Sequence, residues 1–103
     1  MRITSVAAGL LAAAAIHRAS DDFLNAAIAL NAIGTIHRRQ GRLDDALAAF
    51  DDAERFFEGE GQLFGVGATR ANIGNVHYMR NDWLAAIAQY ERSLEVRRQI
   101  GDQ

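Results

Sequence analysis

Two stretches of this 103-residue chain are one pattern written twice, 40 positions apart. Asn31-Ala32-Ile33-Gly34-Thr35-Ile36-His37 returns as Ala71-Asn72-Ile73-Gly74-Asn75-Val76-His77, and the register then holds without a gap. Leu43 corresponds to Trp83, Ala46 to Ala86, Leu47 to Ile87, Ala48 to Ala88, Phe50 to Tyr90, Asp51 to Glu91 and Gly61 to Gly101. A period between about 20 and 50 residues marks stacked units, none of which buries its own apolar face alone. Chains of this kind are binding surfaces more often than catalysts.

Composition narrows the class. Apolar residues make up 50% and charged residues 23%, a globular balance with no disordered signature. A net charge of −2 gives no basic footprint for nucleic acid. The chain has no cysteine, hence no disulfide framework and no thiolate metal site, which is compatible with the cytoplasm. It also has no proline, as a chain helical almost throughout requires. At the N-terminus, Arg2 precedes an apolar run from Val6 to Ile16. That run is long enough for a signal-peptide core, which would make the protein exported, but too short to span a bilayer. The alternative is a repeat helix, and the register favours it. Forty positions on, Val6 falls on Ala46, Ala8 on Ala48, Leu10 on Phe50 and Ala13 on Ala53.

The periodicity predicts five helices and no strands. The first runs from about Thr4 to Arg18, after which Ser20 offers an N-cap hydroxyl and Asp21 and Asp22 put negative charge in a new first turn. The second helix ends near Gln40, with Gly41 as its left-handed stop. A third spans about Leu43 to Glu58, and a fourth about Leu63 to Arg80, its start weakened by Gly65 and Gly67. Asn81 is expected to be left-handed and Asp82 to cap a fifth helix from Trp83 to Ile100. Residues 1–20 are then helix B of a partial unit, 21–61 a first full A–B unit and 62–103 a second, all in one continuous domain.

The slots Gly34, Ala46, Phe50 and Ala53, and again Gly74, Ala86, Tyr90 and Ser93, have the spacing of the tetratricopeptide repeat, which the chain resembles over essentially its whole length. Gly34 and Gly74 are expected to face Ala46 and Ala86, so that paired helices approach closely. Phe50 and Tyr90 are expected to fill the wedge between units. The family's tryptophan slot holds Leu30 and Arg70, its tyrosine slot His37 and His77, and its late proline slot Glu58 and Arg98. The 40-residue period also exceeds the family's 34. This longer form is similar to the repeats of the Pins/LGN polarity adaptors, kinesin light chains and many bacterial regulatory proteins.

The resemblance implies an all-α, right-handed solenoid of antiparallel helix pairs, whose A helices line a concave groove for an extended peptide or partner helix. Carried over residue by residue, that groove holds Ile28, Asn31, Ala32, Thr35, Arg38 and Arg39, then Ala68, Ala71, Asn72, Asn75, Tyr78 and Met79. An asparagine amide both donates and accepts, so Asn72 and Asn75 suit pairing with a ligand backbone. Arg38 and Arg39 suit the carboxylates of an acidic segment. Solvated asparagines, and arginines that only offset helix C-terminal carbonyls, are the plainer alternatives.

Other chemistry finds little footing. His37 and His77 recur without a neighbouring ligand cluster, so tyrosine-slot packing explains them better than metal. Gly61 to Gly67 resembles a phosphate loop but follows a helix and lacks a lysine-serine end. Asp44, Asp45, Asp51, Asp52 and Glu54 read as a solvated convex face. Neither a catalytic arrangement nor a cofactor motif stands out, which leaves a small-ligand sensor as a remote alternative to a protein- or peptide-binding module. A second reading is self-assembly. The last helix presents Trp83, Leu84, Ile87, Leu94 and Val96, more apolar surface than its partner covers, and Ala12 to Ile16 give the first helix an apolar face; either the chain is part of a longer array or copies stack or swap helices with one another. Neither reading involves a membrane.

Overall fold

The computed structural model describes the backbone of residues 5–102 and the side chains of residues 19–102. Among these residues the chain is four helices: α1 Ser5–Arg39, α2 Leu43–Gly59, α3 Leu63–Met79 and α4 Trp83–Gly101. In the repeat, α1 (its C-terminal half) and α3 are the A helices, and α2 and α4 are the B helices.

The period of 40 is two periods of 20. Gly41, Gly61 and Asn81 all take positive φ, at 77°, 65° and 62°. Each sits one residue past the last full turn, and the residue after it donates its N–H back across the helix end. Arg42 donates to the His37 carbonyl, Gln62 to Phe57 and Asp82 to His77, all at 2.9 Å. This closure satisfies carbonyls a helix end would leave unpaired, and its left-handed residue is cheapest as glycine or asparagine. Every helix-to-helix connection is therefore the same tight turn, and successive helices lie antiparallel. Asp82 caps as expected, its carboxylate accepting from the Ala85 N–H at 3.4 Å.

The expected break at Ser20 is absent, and α1 passes straight through it. The physical reason lies one residue on. Twenty positions before Gly41 stands Asp21, neither glycine nor asparagine. The left-handed stop is missing, and a serine with two aspartates does not end a helix in its place. The start near Thr4, the slots of Val6, Ala8, Leu10 and Ala13, and the Ala12–Ile16 face lie outside the described residues or side chains.

Two buried clusters hold the stack. Ala46 and Phe50 of α2 close on Ile73 and Val76 of α3, flanked by Leu43 and Leu47. Ala27, Ala53, Phe57, Val66 and Val96 form the other, with Leu24, Leu30, Phe56, Leu63 and Ile100 around it. The nearest neighbour of Gly34 is the Phe50 side chain. The Phe50 ring lies over the glycine, and a Cβ on Gly34 would stand 2.6 Å from that ring. Tyr90 covers Gly74 in the same way, at 2.8 Å. In each pair a glycine thus lies under an aromatic ring, and Phe50, fully buried, reaches on to α3 as the wedge between units. Gly65 and Gly67, instead of fraying α3, are seats for the Phe57 ring and for Val96. That seat buries Val96, removing it from the apolar face expected on α4.

Part of the acidic stretch of α2 is structural, not solvated. Arg70 of α3 donates from Nε to Glu54 at 2.7 Å and from Nη2 to Glu58 at 3.1 Å. The Arg70 and Glu54 side chains are only 17% and 15% exposed. Arg80, just past the end of α3, pairs with Asp44, whose side chain stays 91% exposed. Asp51 has its carboxyl pushed above the usual range, first by partial burial of that group and then by the charge of Glu54, with Arg55 drawing it back.

Candidate functional site

The concave side is set by which helices touch. The backbones of the A helices α1 and α3 approach each other, whereas those of the B helices α2 and α4 stand apart. A stack whose layers meet on one edge curves toward that edge, which makes the α1–α3 side the inner face.

Two side-chain links join α1 to α3, and residues expected in the groove make both. Asn31 Nδ2 donates to Thr69 Oγ1 at 3.0 Å, and the Thr69 hydroxyl donates in turn to the Gly65 carbonyl at 2.8 Å. The Asn31 amide is therefore engaged within the fold, holding the two A helices in register. Arg38 Nη1 lies 4.0 Å from Met79 Sδ, while its Nε is enclosed without a partner. Thr35 donates back to the Asn31 carbonyl at 3.0 Å, a bond along its own helix.

The remaining groove positions differ in what they leave available. Ile28, Ala32 and Arg39 are exposed on α1, and Tyr78 and Met79 on α3. Ala68, Ala71, Asn72 and Asn75 are half-buried. Asn75 Oδ1 accepts from the Tyr90 hydroxyl at 2.6 Å, which engages the amide oxygen and leaves its NH2 as the donor end. No carboxylate among the described residues lies within ion-pairing distance of Arg38 or Arg39, although Arg70 and Arg80 nearby are both paired. The residues expected in the groove thus combine small and apolar side chains, two half-buried amides and two arginines with no carboxylate within ion-pairing distance among the described residues.

Two positioning residues lie outside the expected set. Thr69 holds Asn31, and Tyr90 holds Asn75. The second was visible in the repeat itself: where the first unit pairs Phe50 with Thr35, the second carries a hydroxyl and an amide that accepts it. Thr69 gave no such signal, because its partner lies 38 positions away on another helix.

The four residues expected at the free end are exposed: Trp83, Leu84, Ile87 and Leu94. They meet the groove at one point. Tyr78 and Trp83 stack edge to face with ring centroids 5.0 Å apart, across the Asn81 turn. A polar depression of about 490 Å³ lies instead at the turn end, bordered by Gly41, Arg42, Leu43, Asp44, Asp45 and Arg80. Among the described residues no three His, Asp or Glu side chains gather as metal ligands would, and His37 and His77 stand on separate helices. No helix among them is long and apolar enough to cross a membrane.

Compared with protein-family models, the chain matches the tetratricopeptide repeat over residues 25–99. No curated protein and no solved structure matches it. The matched span takes in both helix pairs, from the first packed turn of the A segment of α1 to the last turn of α4. The chain belongs to the tetratricopeptide repeat family, whose members generally serve in protein–protein interaction and not in catalysis.

Proposed function

We propose that this protein is a non-catalytic interaction module that holds a peptide or partner segment along the inner face of α1 and α3. The observation that carries this reading is the pair Arg38 and Arg39, unneutralised on that face beside the amides of Asn72 and Asn75. Guanidinium groups without an internal carboxylate favour an anionic guest, since each can form a two-pronged bond to a carboxylate. The amides supply contacts to the guest backbone that do not depend on its side chains. Exposed Ile28, Tyr78 and Met79 add apolar contact at the two ends of the face. The partner class is thus an acidic segment with some apolar residues, bound extended or as a short helix.

Peptides selected from a random display library on the immobilised chain test this. The expected consensus is rich in Asp and Glu, with affinity falling as salt rises through the screening range. Arg38→Ala with Arg39→Ala should weaken the selected peptides about tenfold or more. Selected peptides without acidic bias, or indifferent to both substitutions, would refute the assignment.

A further inference from the structure

The two ends of this molecule carry the two halves of its own internal junction. In the junction between units, Leu43, Leu47 and Phe50 of α2 receive Ile73 and Val76 of α3. Forty positions on from the receiving side are Trp83, Ile87 and Tyr90 of α4, and forty back from the entering side are Ile33 and Ile36 of α1. All five are apolar or aromatic. Four are open to solvent: Trp83 by 49%, Ile87 by 51%, Ile33 by 44% and Ile36 by 54%. Each end therefore presents one side of a contact whose fit the molecule already demonstrates once.

The charged slots point the same way. The internal junction is bridged by Glu54 on α2 and Arg70 on α3. Their counterparts forty positions on and forty back are Leu94, exposed on α4, and Leu30, partly buried against the chain's own Ala27–Val96 cluster, so neither slot carries a charge there. α1 runs on as one helix through Ser20 and Asp21, and Ile33 and Ile36 on its C-terminal half are exposed.

We propose that a second copy of this chain occupies each end, with α4 of one copy packing on the C-terminal half of α1 of the next. The contact is head to tail. It joins two different surfaces, does not close on itself, and continues the repeat register from copy to copy as an open stack. The inner faces of successive copies then run on into one longer groove. This assembly is independent of what the groove binds.

Light scattering on the parent chain over a concentration series should show a mass that rises past that of a dimer. Ile87→Glu blocks the α4 end and Ile33→Glu blocks the α1 end. Each should weaken self-association about 30-fold or more, as loss of a buried anchor does. Mixed together, the two should form a one-to-one pair through their intact ends, and only one pair. Circular dichroism checks that both remain helical, and Trp83→Glu with Ile36→Glu gives a second set if either does not. Three results overturn the proposal. They are a parent chain monomeric throughout, as it would be if its own N-terminal half folded back over Ile33, a dimer that survives Ile33→Glu because two α4 faces meet each other, or blocked chains that fail to pair.

Discussion

At the scale of single residues, the fold depends on a few places where one atom decides. Gly34 is the clearest. A methyl there would enter the ring of Phe50, which is fully buried and fixed between α1, α2 and α3. Alanine normally stabilises a helix interior by about 0.5–1 kcal/mol over glycine, but overpacking a fixed core costs about 1–3 kcal/mol. Gly34→Ala is therefore expected to lose about 1–2 kcal/mol in urea unfolding. Gly74→Ala should cost less than half as much, because Tyr90 is only half-buried and its ring can swing outward. Equal losses would contradict this reading of the two seats. Asp51 offers a test by pH. Its folded carboxyl holds a proton more tightly than the unfolded one, so the folded state loses stability as pH rises through the raised pKa. Asp51→Asn should unfold at a higher urea midpoint than the parent at pH 7. That gain should vanish below the ordinary aspartate value of 3.8, and a loss at pH 7 would run against it.

At the scale of elements, the decisive unit is a helix of 17 residues plus a three-residue turn closed by a left-handed residue. The turns at Gly41, Gly61 and Asn81 were legible in the sequence because so few residue types tolerate positive φ. The continuity of α1 was not. Ser20, Asp21 and Asp22 are good starting residues for a helix, but nothing before them stops the preceding one, and a start without a stop leaves a helix intact. Ser20→Ala distinguishes the two situations. Loss of a cap would cost about 1 kcal/mol, whereas serine inside a helix is slightly worse than alanine. The expected result is a small rise in helicity and melting temperature, and a clear loss would restore the cap. The aromatic seats were half legible: the repeat showed that Gly34 and Phe50 belong together. That the Phe50 ring lies directly over Gly34 depends on side-chain direction, which spacing alone does not carry. The pairing of Arg70 with Glu54 was hidden for a similar reason, since Arg70 stands where the family's pattern has an aromatic residue and its partners lie across a turn.

At the scale of the whole molecule, close backbone approach of α1 to α3 but not of α2 to α4 gives the stack its inner side. The repeat supplies candidates for lining that side. What spacing could not show is their division of labour. Asn31 is spent on Thr69, Asn75 is oriented by Tyr90, and Arg38 and Arg39 are left without a carboxylate. The free ends extend the same logic outward, since surfaces that match across 40 residues within a chain can match between chains. The groove itself is tested most directly by amide chemical-shift mapping with a selected acidic peptide. The expected perturbations lie along residues 28–39 of α1 and 68–79 of α3, with the outward side of α2 unmoved. Perturbations confined to α4, or spread over the outer side of α2, would show that the inner face is not where this protein binds.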